Sequence, residues 1–580
     1  MPITNADVVA VFSEIADLLE IEGANPFRVR AYRNAARMLG ELGRSVKTMV
    51  ARPEELDALP GIGPDLAAKI IEIVTTGSCA LLERLRNELP PVITELLKIP
   101  GLGPKRVRTL HRELGIETLA QLRQAAEQGR IQSVHGFGAK TEQQILQATR
   151  SLLQQERRYK WADIEPAAQA LLADLHATPG VHKAVAAGSL RRGRDTVGDL
   201  DLLVTADDPG AVMGRLTANE DVQRVLEHGV TRSSVVLKSG LQVDLRAVAP
   251  ASFGAAWLYF TGSKAHNIAL RKLAQDKDLK LNEYGLYRGR QRIAGDTEEA
   301  VYKALGLPFI EPELREDRGE IEAARSGALP RLLQLSDLRG DLHAHTKDSD
   351  GVDTIAAMAE AARAHGLQYL AITDHSKRLA MVHGLDADGL SRQIDRIDEI
   401  NAGLHDFVLL KGVEVDILED GTLDLPDAIL RRLDLVVGAV HSGFGLRQDK
   451  QTDRLLRAMD NPCFSILAHP TGQLINERPP CDFDLSRIIR QARERGCFLE
   501  LNAHPARLDL SDVACQMAKS EGVLVSIDSD AHSRLQFDNL RFGVSQARRG
   551  WLQASDVLNT RTLSQLRPLL AAAMGRNGQA

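Results

Sequence analysis

Aromatic residues make up only 4% of the 580-residue chain. Contact with nucleic acid by base stacking therefore has few side chains to use, and must lean on backbone amides and basic groups. Cysteine is scarce as well. Cys79, Cys463, Cys481, Cys497 and Cys515 are odd in number, scattered, and form no Cys-x-x-Cys pair, which argues against a disulfide scaffold or a thiolate zinc knuckle. No uncharged apolar run is long enough to span a bilayer. The first twenty residues carry Asp7, Glu14, Asp17 and Glu20 without a basic leader, so no signal peptide is expected. The expected location is the cytoplasm, with no membrane partner. A basic excess is also missing: 72 Lys and Arg stand against 78 Asp and Glu, a net charge of -6. That argues against a polybasic coat. The average hides a gradient, because residues 1–160 hold 22 basic against 19 acidic residues and the remainder 50 against 59.

At about 150 residues per domain, the length predicts three or four domains. With 44% hydrophobic and 26% charged residues, wholesale disorder is excluded. Residues 1–155 show helical periodicity throughout. Three segments there share a pattern, built on Gly61-Ile-Gly63, Gly101-Leu-Gly103 and Gly136-Phe-Gly138, each leading into a helix with the same downstream spacing. Such a turn leaves backbone N–H groups at the positive helix end, and the missing Cβ atoms let a phosphate come close. One copy is more simply a tight turn. Three copies predict a grip on a nucleic-acid backbone without sequence readout. Lys105, Arg106, Arg108 and Arg112 at the second copy add positive charge.

From about 160 to 310 strand-like runs mix with helices. In Gly188-Ser189-Leu-Arg-Arg192-Gly-Arg-Asp-Thr-Val-Gly198-Asp199-Leu-Asp201, the two aspartates sit two apart on a strand and share its polar face. Close carboxylates repel unless a cation lies between them, and hard Mg²⁺ suits oxygen ligands. Asp244, on the polar face of Leu-Gln-Val-Asp-Leu-Arg, supplies a third acid. Gly188, Ser189, Gly198 and Arg192 offer donors and charge to phosphate oxygens. The segment 311–327, EPELREDRGEIEAARSG, is charged and lacks core residues, so a linker is expected.

Beyond 336, short β runs alternate with amphipathic helices, the pattern of a parallel α/β architecture. Seven such runs end in potential metal ligands: His343 and His345, Asp374-His375, Glu414, His441, His469, Glu500-Leu-Asn502, and Asp528-Ser-Asp530-Ala-His532. In a β/α barrel these carboxyl ends meet at one mouth. So many imidazoles and carboxylates converging there would be costly to desolvate without metal.

The string GSLRRGRDTVGDLDLLV, with LYFTGS at 258–263 and LNEY at 281–284, resembles the palm and nucleotide-binding motifs of family X DNA polymerases, the group of polymerase beta. The resemblance implies that Asp199, Asp201 and Asp244 hold two Mg²⁺ or Mn²⁺ ions, and that Gly188, Ser189, Arg192 and Gly198 contact the triphosphate. It implies further that Tyr259, Phe260 and Gly262 line the sugar, Asn267 meets the base edge, and Arg271 faces the template. The three Gly-x-Gly turns resemble helix-hairpin-helix motifs, with Gly61, Gly63, Gly101, Gly103, Lys105, Gly136 and Gly138 at the DNA. Some family members carry a 5′-deoxyribose-phosphate lyase, whose Schiff-base lysine aligns with Lys69 and whose tyrosine aligns with Tyr32. Here Asp65 and Arg28 replace supporting lysines, and an acid beside Lys69 would keep it protonated.

The C-terminal ladder resembles the PHP domain, a distorted seven-stranded β/α barrel with a trinuclear metal site. The implied ligands are His343, His345, Asp350, His375, Glu414, His441, His469, Asp530 and His532, holding Mn²⁺, Zn²⁺ or Fe. Arg507, in Asn-Ala-His504-Pro-Ala-Arg, is placed to meet phosphate.

The expected architecture is multidomain: an all-α helix-hairpin-helix region (1–90 and 91–155), an α+β nucleotidyltransferase palm (156–250), a nucleotide-binding subdomain (251–312), a linker (313–335) and a (β/α)7 PHP barrel (336–575). The expected function is gap-filling DNA polymerisation in repair, joined to a 3′→5′ exonuclease with abasic-site endonuclease or 3′-phosphatase action beside it. Expected partners are gapped or nicked duplex DNA, its 3′ ends and dNTPs, with the chain a monomer. Two rivals are weighed against this. A small-molecule phosphatase on the barrel would not need three hairpins, and a non-catalytic DNA-end tether would not need the three aspartates.

Overall fold

In the computed structural model, residues 158–378 and 383–575 are described without a break. Before them the structure describes 5–22, 24–40, 42, 46–51, 56–77, 79–88, 102, 106, 109–110, 113–116, 119–134, 137–138, 141–142 and 145–146. The chain divides into two units, Met1–Arg158 and Tyr159–Ala580.

The first unit is helical where described. Its helices include α1 (Asn5–Glu22), α2 (Pro26–Gly40), α3 (Val46–Ala51), α4 (Pro64–Thr76), α5 (Ala80–Glu88) and α6 (Leu119–Glu127). Apolar stripes at helical spacing meet in one core, in which Phe12, Ile15 and Leu19 of α1 face Tyr32 and Leu39 of α2.

The second unit holds the palm, the nucleotide-binding subdomain and the barrel. The palm begins with α7 (Trp161–His176) and carries β1 (Val181–Ala186), α8 (Gly188–Arg191), β2 (Asp199–Ala206), α9 (Pro209–Thr217), β3 (Val222–His228), β4 (Arg232–Leu237) and β5 (Gln242–Ala247). Its five-stranded sheet runs β1-β2-β5-β4-β3. Only β2 and β5 pair in parallel, with Asp201 opposite Asp244. Alternation sends Leu200, Leu202 and Val204 into the core and leaves the acids on the other face.

The next segment contains α10 (Phe253–Thr261), α11 (Lys264–Gln275), the antiparallel strands β6 (Lys280–Asn282), β7 (Gly285–Arg288) and β8 (Gln291–Ala294), and α12 (Glu298–Ala304). Residues 313–335, expected to be a linker, are instead packed. They include α13 (Glu320–Ser326), and Leu314, Arg315, Glu316, Glu320, Leu332 and Leu333 are all buried. Arg315 donates to Glu298 Oε1 at 2.6 Å and to the Ile310 carbonyl at 2.9 Å. Glu320 accepts from the amides of Asp317 and Arg318 and meets His266 Nδ1. The charges that read as solvated are satisfied internally, and that is why they can be buried.

The barrel contains β9 (Gly340–Asp341), α14 (Ile355–Ala364), β10 (Tyr369–Ile372), α15 (Ala387–Asn401), β11 (Val408–Lys411), β12 (Glu414–Asp416), β13 (Val437–Ala439) and α16 (Gln448–Met459). It continues through β14 (Ile466–Leu467), α17 (Leu485–Arg495), β15 (Phe498–Asn502), α18 (Asp512–Ser520), β16 (Val525–Asp528), α19 (Leu540–Arg549) and α20 (Leu563–Ala573). All pairings are parallel, in the orders β9-β10-β11 and β12-β13-β14-β15-β16. Seven runs were expected, and seven are found once β11 and β12 are taken as one run kinked at Gly412. A Cβ on Gly412 would lie 2.8 Å from Thr373 Cγ2, so only glycine fits the kink. Single bridges, His375 with Glu414 and Ala344 with Ala531, join the two sheets into a ring.

Among the described residues no helix is long and apolar enough to cross a membrane. All five cysteines are free and buried.

Candidate active sites

The palm strands bring Asp199, Asp201 and Asp244 together, with one carboxylate oxygen of each inside 4.8 Å of the others. Burial pushes the Asp201 carboxyl up to about 7, helped by the charges of Asp199 and Asp244. A buried acid crowded by two others fits divalent cations, which would relieve that repulsion. Asp244 is held by the Ser234 hydroxyl and by Gln242 Nε2 at 2.8 Å. Gly188 has a φ of +61°, and a Cβ there would collide with Asp201 Oδ2. The turn can approach the acids only as glycine.

Beside the aspartates, Ser189 and Gly198 are half-buried. The adjacent arginines differ in their partners. Arg191 lies over the Trp257 ring and grips both oxygens of Glu298, at 2.9 and 2.6 Å. Arg192 donates Nε to Glu316 at 3.0 Å and NH1 to the Thr261 carbonyl, next to Gly262. Tyr259 and Phe260 pack edge to face at 5.2 Å, and Arg246 of β5 lies over Phe260. Asn267 Nδ2 is taken up by the Tyr259 carbonyl at 2.7 Å, while its buried Oδ1 has no partner. Arg271 donates back to the Asn267 carbonyl. Arg192 thus reaches the turn at Gly262, and Tyr259, Asn267 and Arg271 continue the run of contacts along α10 and α11.

At the barrel mouth all nine expected ligands converge. Glu414, 1% exposed, is the hub: its oxygens lie 2.7 Å from His375 Nδ1, 2.9 Å from His469 Nε2, 3.2 Å from His441 Nε2 and 3.6 Å from both His343 and His345 Nε2. Asp530 Oδ1 lies 3.2 Å from His345 Nε2 and 3.7 Å from His343 Nε2. Asp350 Oδ2 stands 3.5 Å from His375 and 3.4 Å from His532. Burial would raise the Glu414 pKa, but the imidazoles of His375, His441 and His343 hold it well below the usual range.

Several of these atoms do not bond to one another despite their closeness. His345 Nδ1 and His469 Nδ1 are buried without a hydrogen-bond partner, and His375 Nδ1 and Glu414 Oε2 lie 2.7 Å apart without hydrogen-bond geometry. So many buried imidazole nitrogens and carboxylate oxygens brought within a few ångströms of one another fit divalent metals. His469 and Asp530 also have φ of +26° and +52°, sparsely populated for residues with a Cβ, which places backbone strain at two strand ends facing the cluster.

Behind the ligands stand residues outside the nine expected to hold metal. Glu500 Oε1 faces His343 Nδ1 at 2.6 Å, and Asp416 Oδ1 faces His441 Nδ1 at 3.2 Å. Asn502 Nδ2 donates to Asp530 Oδ2 at 3.0 Å. Each fixes a ring or carboxylate from its far side. Asp416 was findable, being two residues after Glu414 and so on the same strand face. Arg507 Nε lies 3.6 Å from Asp530 Oδ2, at the mouth. His365 and His405, outside the pattern, are exposed.

In the helical unit, Gly61 has a φ of +80° and Gly63 precedes α4, with Pro64 opening the helix. A Cβ on Gly61, Gly63 or Gly138 would meet nothing within 4 Å, so internal packing does not demand these glycines. Arg106 lies over the Phe137 ring. Gly101, Gly103, Lys105, Arg108, Arg112 and Gly136 lie outside the described residues. Lys69 Nζ meets Asp65 Oδ1 at 2.6 Å. Burial would lower the Lys69 pKa, but the Asp65 hydrogen bond and the neighbouring Tyr32 and Asp65 charges raise it. Its amine is therefore protonated and poorly nucleophilic at neutral pH. Asp65→Ala is expected to raise borohydride-trapped Schiff base with a 5′-deoxyribose-phosphate end about tenfold. An unchanged yield would show that the acid is not what restrains Lys69.

Known proteins share these modules. Residues 3–79 match the helix-hairpin-helix domain, 93–151 the SAM-like helix-hairpin-helix tandem, 256–316 the DNA polymerase beta thumb, and 341–504 the PHP domain. The DNA polymerase/3'-5' exonuclease PolX of Bacillus subtilis is 38% identical over 568 residues, covering 97% of this chain and 99% of that protein. DNA polymerase lambda of Rattus norvegicus is 27% identical over 344 residues, 54% of this chain and 56% of its own. A probable phosphatase of Acetivibrio thermocellus is 31% identical over 211 residues, 35% of this chain and 82% of its own. With near-complete coverage at this identity, the chain belongs to the family X DNA polymerases that carry a C-terminal PHP domain.

Proposed function

We propose that this chain is a DNA-directed DNA polymerase that fills short gaps during repair, and that its PHP barrel is a metal-dependent 3′→5′ exonuclease. The observation that carries the reading is the presence, on one chain, of the aspartate triplet across β2 and β5 and the cluster at the barrel mouth, eight residues at metal-binding distance with His469 against Glu414. A tether would need neither. A small-molecule phosphatase would need no palm.

Asp199, Asp201 and Asp244 would hold Mg²⁺ or Mn²⁺, which when bound favours the ionised primer 3′-hydroxyl and offsets triphosphate charge. The chain's own groups do the rest. Gly188, Ser189 and Gly198 present donors to the phosphates, Arg192 adds fixed charge, and the Tyr259-Phe260-Gly262 wall packs on the sugar. Asn267 Oδ1, left without a partner inside the protein, is available to a base edge, and Arg271 stands next to it toward the template. The hairpin glycines Gly61 and Gly63 let the duplex backbone approach the start of α4, and Gly138 offers a second such approach.

At the barrel, His343, His345, Asp350, His375, Glu414, His441, His469, Asp530 and His532 would hold three divalent ions, of Mn²⁺, Zn²⁺ or Fe, which when bound activate water toward a phosphodiester. Glu500 and Asp416 favour a proton on Nδ1 of His343 and His441 and leave each Nε2 lone pair facing Glu414. Arg507 would meet the phosphate. Both sites work on the same 3′ terminus, and joining them raises the effective concentration of each for the other's product.

The test is a 5′-labelled primer on a gapped duplex, followed with and without dNTPs. Extension with dNTPs, shortening without them, and loss of both on chelation are expected. A protein that does neither in the presence of Mg²⁺ or Mn²⁺ contradicts the reading.

A further inference from the structure

Helix α19 belongs to the barrel, with Val544 and Ala547 in the barrel core. Its other side meets the palm. A Cβ on Gly193, the residue after Arg192, would collide with Ser545 Oγ, so loop and helix touch as closely as glycine permits. At the end of α19, Arg549 is 2% exposed. It donates NH1 to the Arg192 carbonyl at 2.9 Å and to Glu316 Oε1 at 3.0 Å, and NH2 to Asp512 Oδ2 at 2.7 Å.

Glu316 is shared. The same Oε1 accepts from Arg192 Nε at 3.0 Å and lies 3.8 Å from Arg194 NH1. Asp512, at the start of α18, also pairs with Arg318 at 3.1 Å. Arg549 therefore holds Arg192 twice, by its backbone carbonyl and through the carboxylate that orients its guanidinium. Arg192 in turn donates to the Thr261 carbonyl beside Gly262. A continuous run of contacts leads from a barrel helix to both loops assigned to the incoming nucleotide.

Because the planar fork reaches the Arg192 carbonyl, Glu316 and Asp512 at once, no shorter or differently shaped cation reproduces all three contacts. Burial would raise the Glu316 carboxyl, but Arg549, Arg192 and Arg194 hold it down at about 2, so it is an anion throughout the working pH range. Without Arg549, an ionised and nearly buried Glu316 would draw on Arg192 and, from 3.8 Å, Arg194, and the Arg192 carbonyl would lose its donor.

We infer that Arg549 is a positioning residue for the polymerase reaction, through which the PHP barrel sets the place of Arg192 and hence the palm's affinity for the nucleoside triphosphate. The inference rests on the polymerase reading above. It acts through Arg192 and makes no contact with substrate.

The experiment uses the full-length chain, filling a one-nucleotide gap with Mg²⁺, with KM for the dNTP and kcat measured separately and the exonuclease assayed on the same preparations. Arg549→Gln is expected to raise KM about tenfold with kcat changed by less than about twofold, and to leave the exonuclease rate unaltered. Arg549→Lys should recover part of the loss. Since Arg549 acts through Arg192, the double variant R192Q/R549Q should be no worse than R192Q. An unaltered KM in R549Q, an equal loss of exonuclease, or additive effects in the double variant would overturn the inference. Should R549Q fail to fold, Glu316→Gln gives a second reading: it discharges the carboxylate through which Arg549 orients the Arg192 guanidinium, leaving the bond to the Arg192 carbonyl, and must also raise KM, so an unchanged KM there overturns the inference. Wild-type protein that fills no gap would instead sink the polymerase reading itself.

Discussion

Replacing Asp244 with alanine is expected to lower gap-filling extension by about a thousandfold or more while the exonuclease stays within about twofold of wild type. Asp244 is 7% exposed and sits in register with Asp201 across a parallel pair. No other described acid is grouped with Asp199 and Asp201 at metal-binding distance. Its loss leaves a two-carboxylate site. Folding should survive the change, because removing one member of a repelling triplet relieves the burden on Asp201. The Ser234 hydroxyl and Gln242 amide lose an acceptor, at a cost of about 1–3 kcal/mol, which a melting curve would register. Asp244→Asn, which keeps one acceptor oxygen and the side-chain shape but removes the charge, is the control. Full extension in either variant would remove the palm assignment.

His343→Ala is expected to do the converse, lowering the exonuclease about a hundredfold or more and leaving extension largely intact. The ring is fully buried, with Nδ1 against Glu500 and Nε2 between Glu414 and Asp530. Alanine removes a donor from the centre and leaves Glu500 with the His469 amide at 2.6 Å and Asn502 Nδ2 at 3.2 Å as its remaining donors. A buried carboxylate that loses a partner destabilises the barrel, so thermal melting must accompany the assay. Loss of both activities, with a lowered melting temperature, would indicate misfolding. Loss of extension alone would contradict the division of labour.

Both sites were legible in the sequence because strand geometry makes them so. Side chains two apart share a face, which placed Asp199 beside Asp201, and parallel strands end on one side, which gathered His343, Glu414 and His441. The supporting residues were harder to see. Glu500 and Asn502 stood at a strand end with the ligands, but only the fold tells that they face His343 and Asp530 from behind. Charged residues were misread where partners lie far away in sequence. Glu313, Arg315 and Glu316 look like a solvated linker, yet they pair with Arg548, Glu298 and Arg549. The polarity of α19 carries the same lesson. Ser545, Gln546 and Arg549 are polar and buried, because that side of the helix forms a seam between modules. Composition cannot tell such a seam from a surface.

The central claim is that one chain holds two separate metal-dependent centres, and metal content measured on the purified full-length protein tests it most directly. About three transition-metal equivalents per chain should be retained, most of them lost in Glu414→Ala and all kept in Asp244→Ala. A wild-type protein that retains none, or a Glu414→Ala variant that retains as much as wild type, would contradict the account.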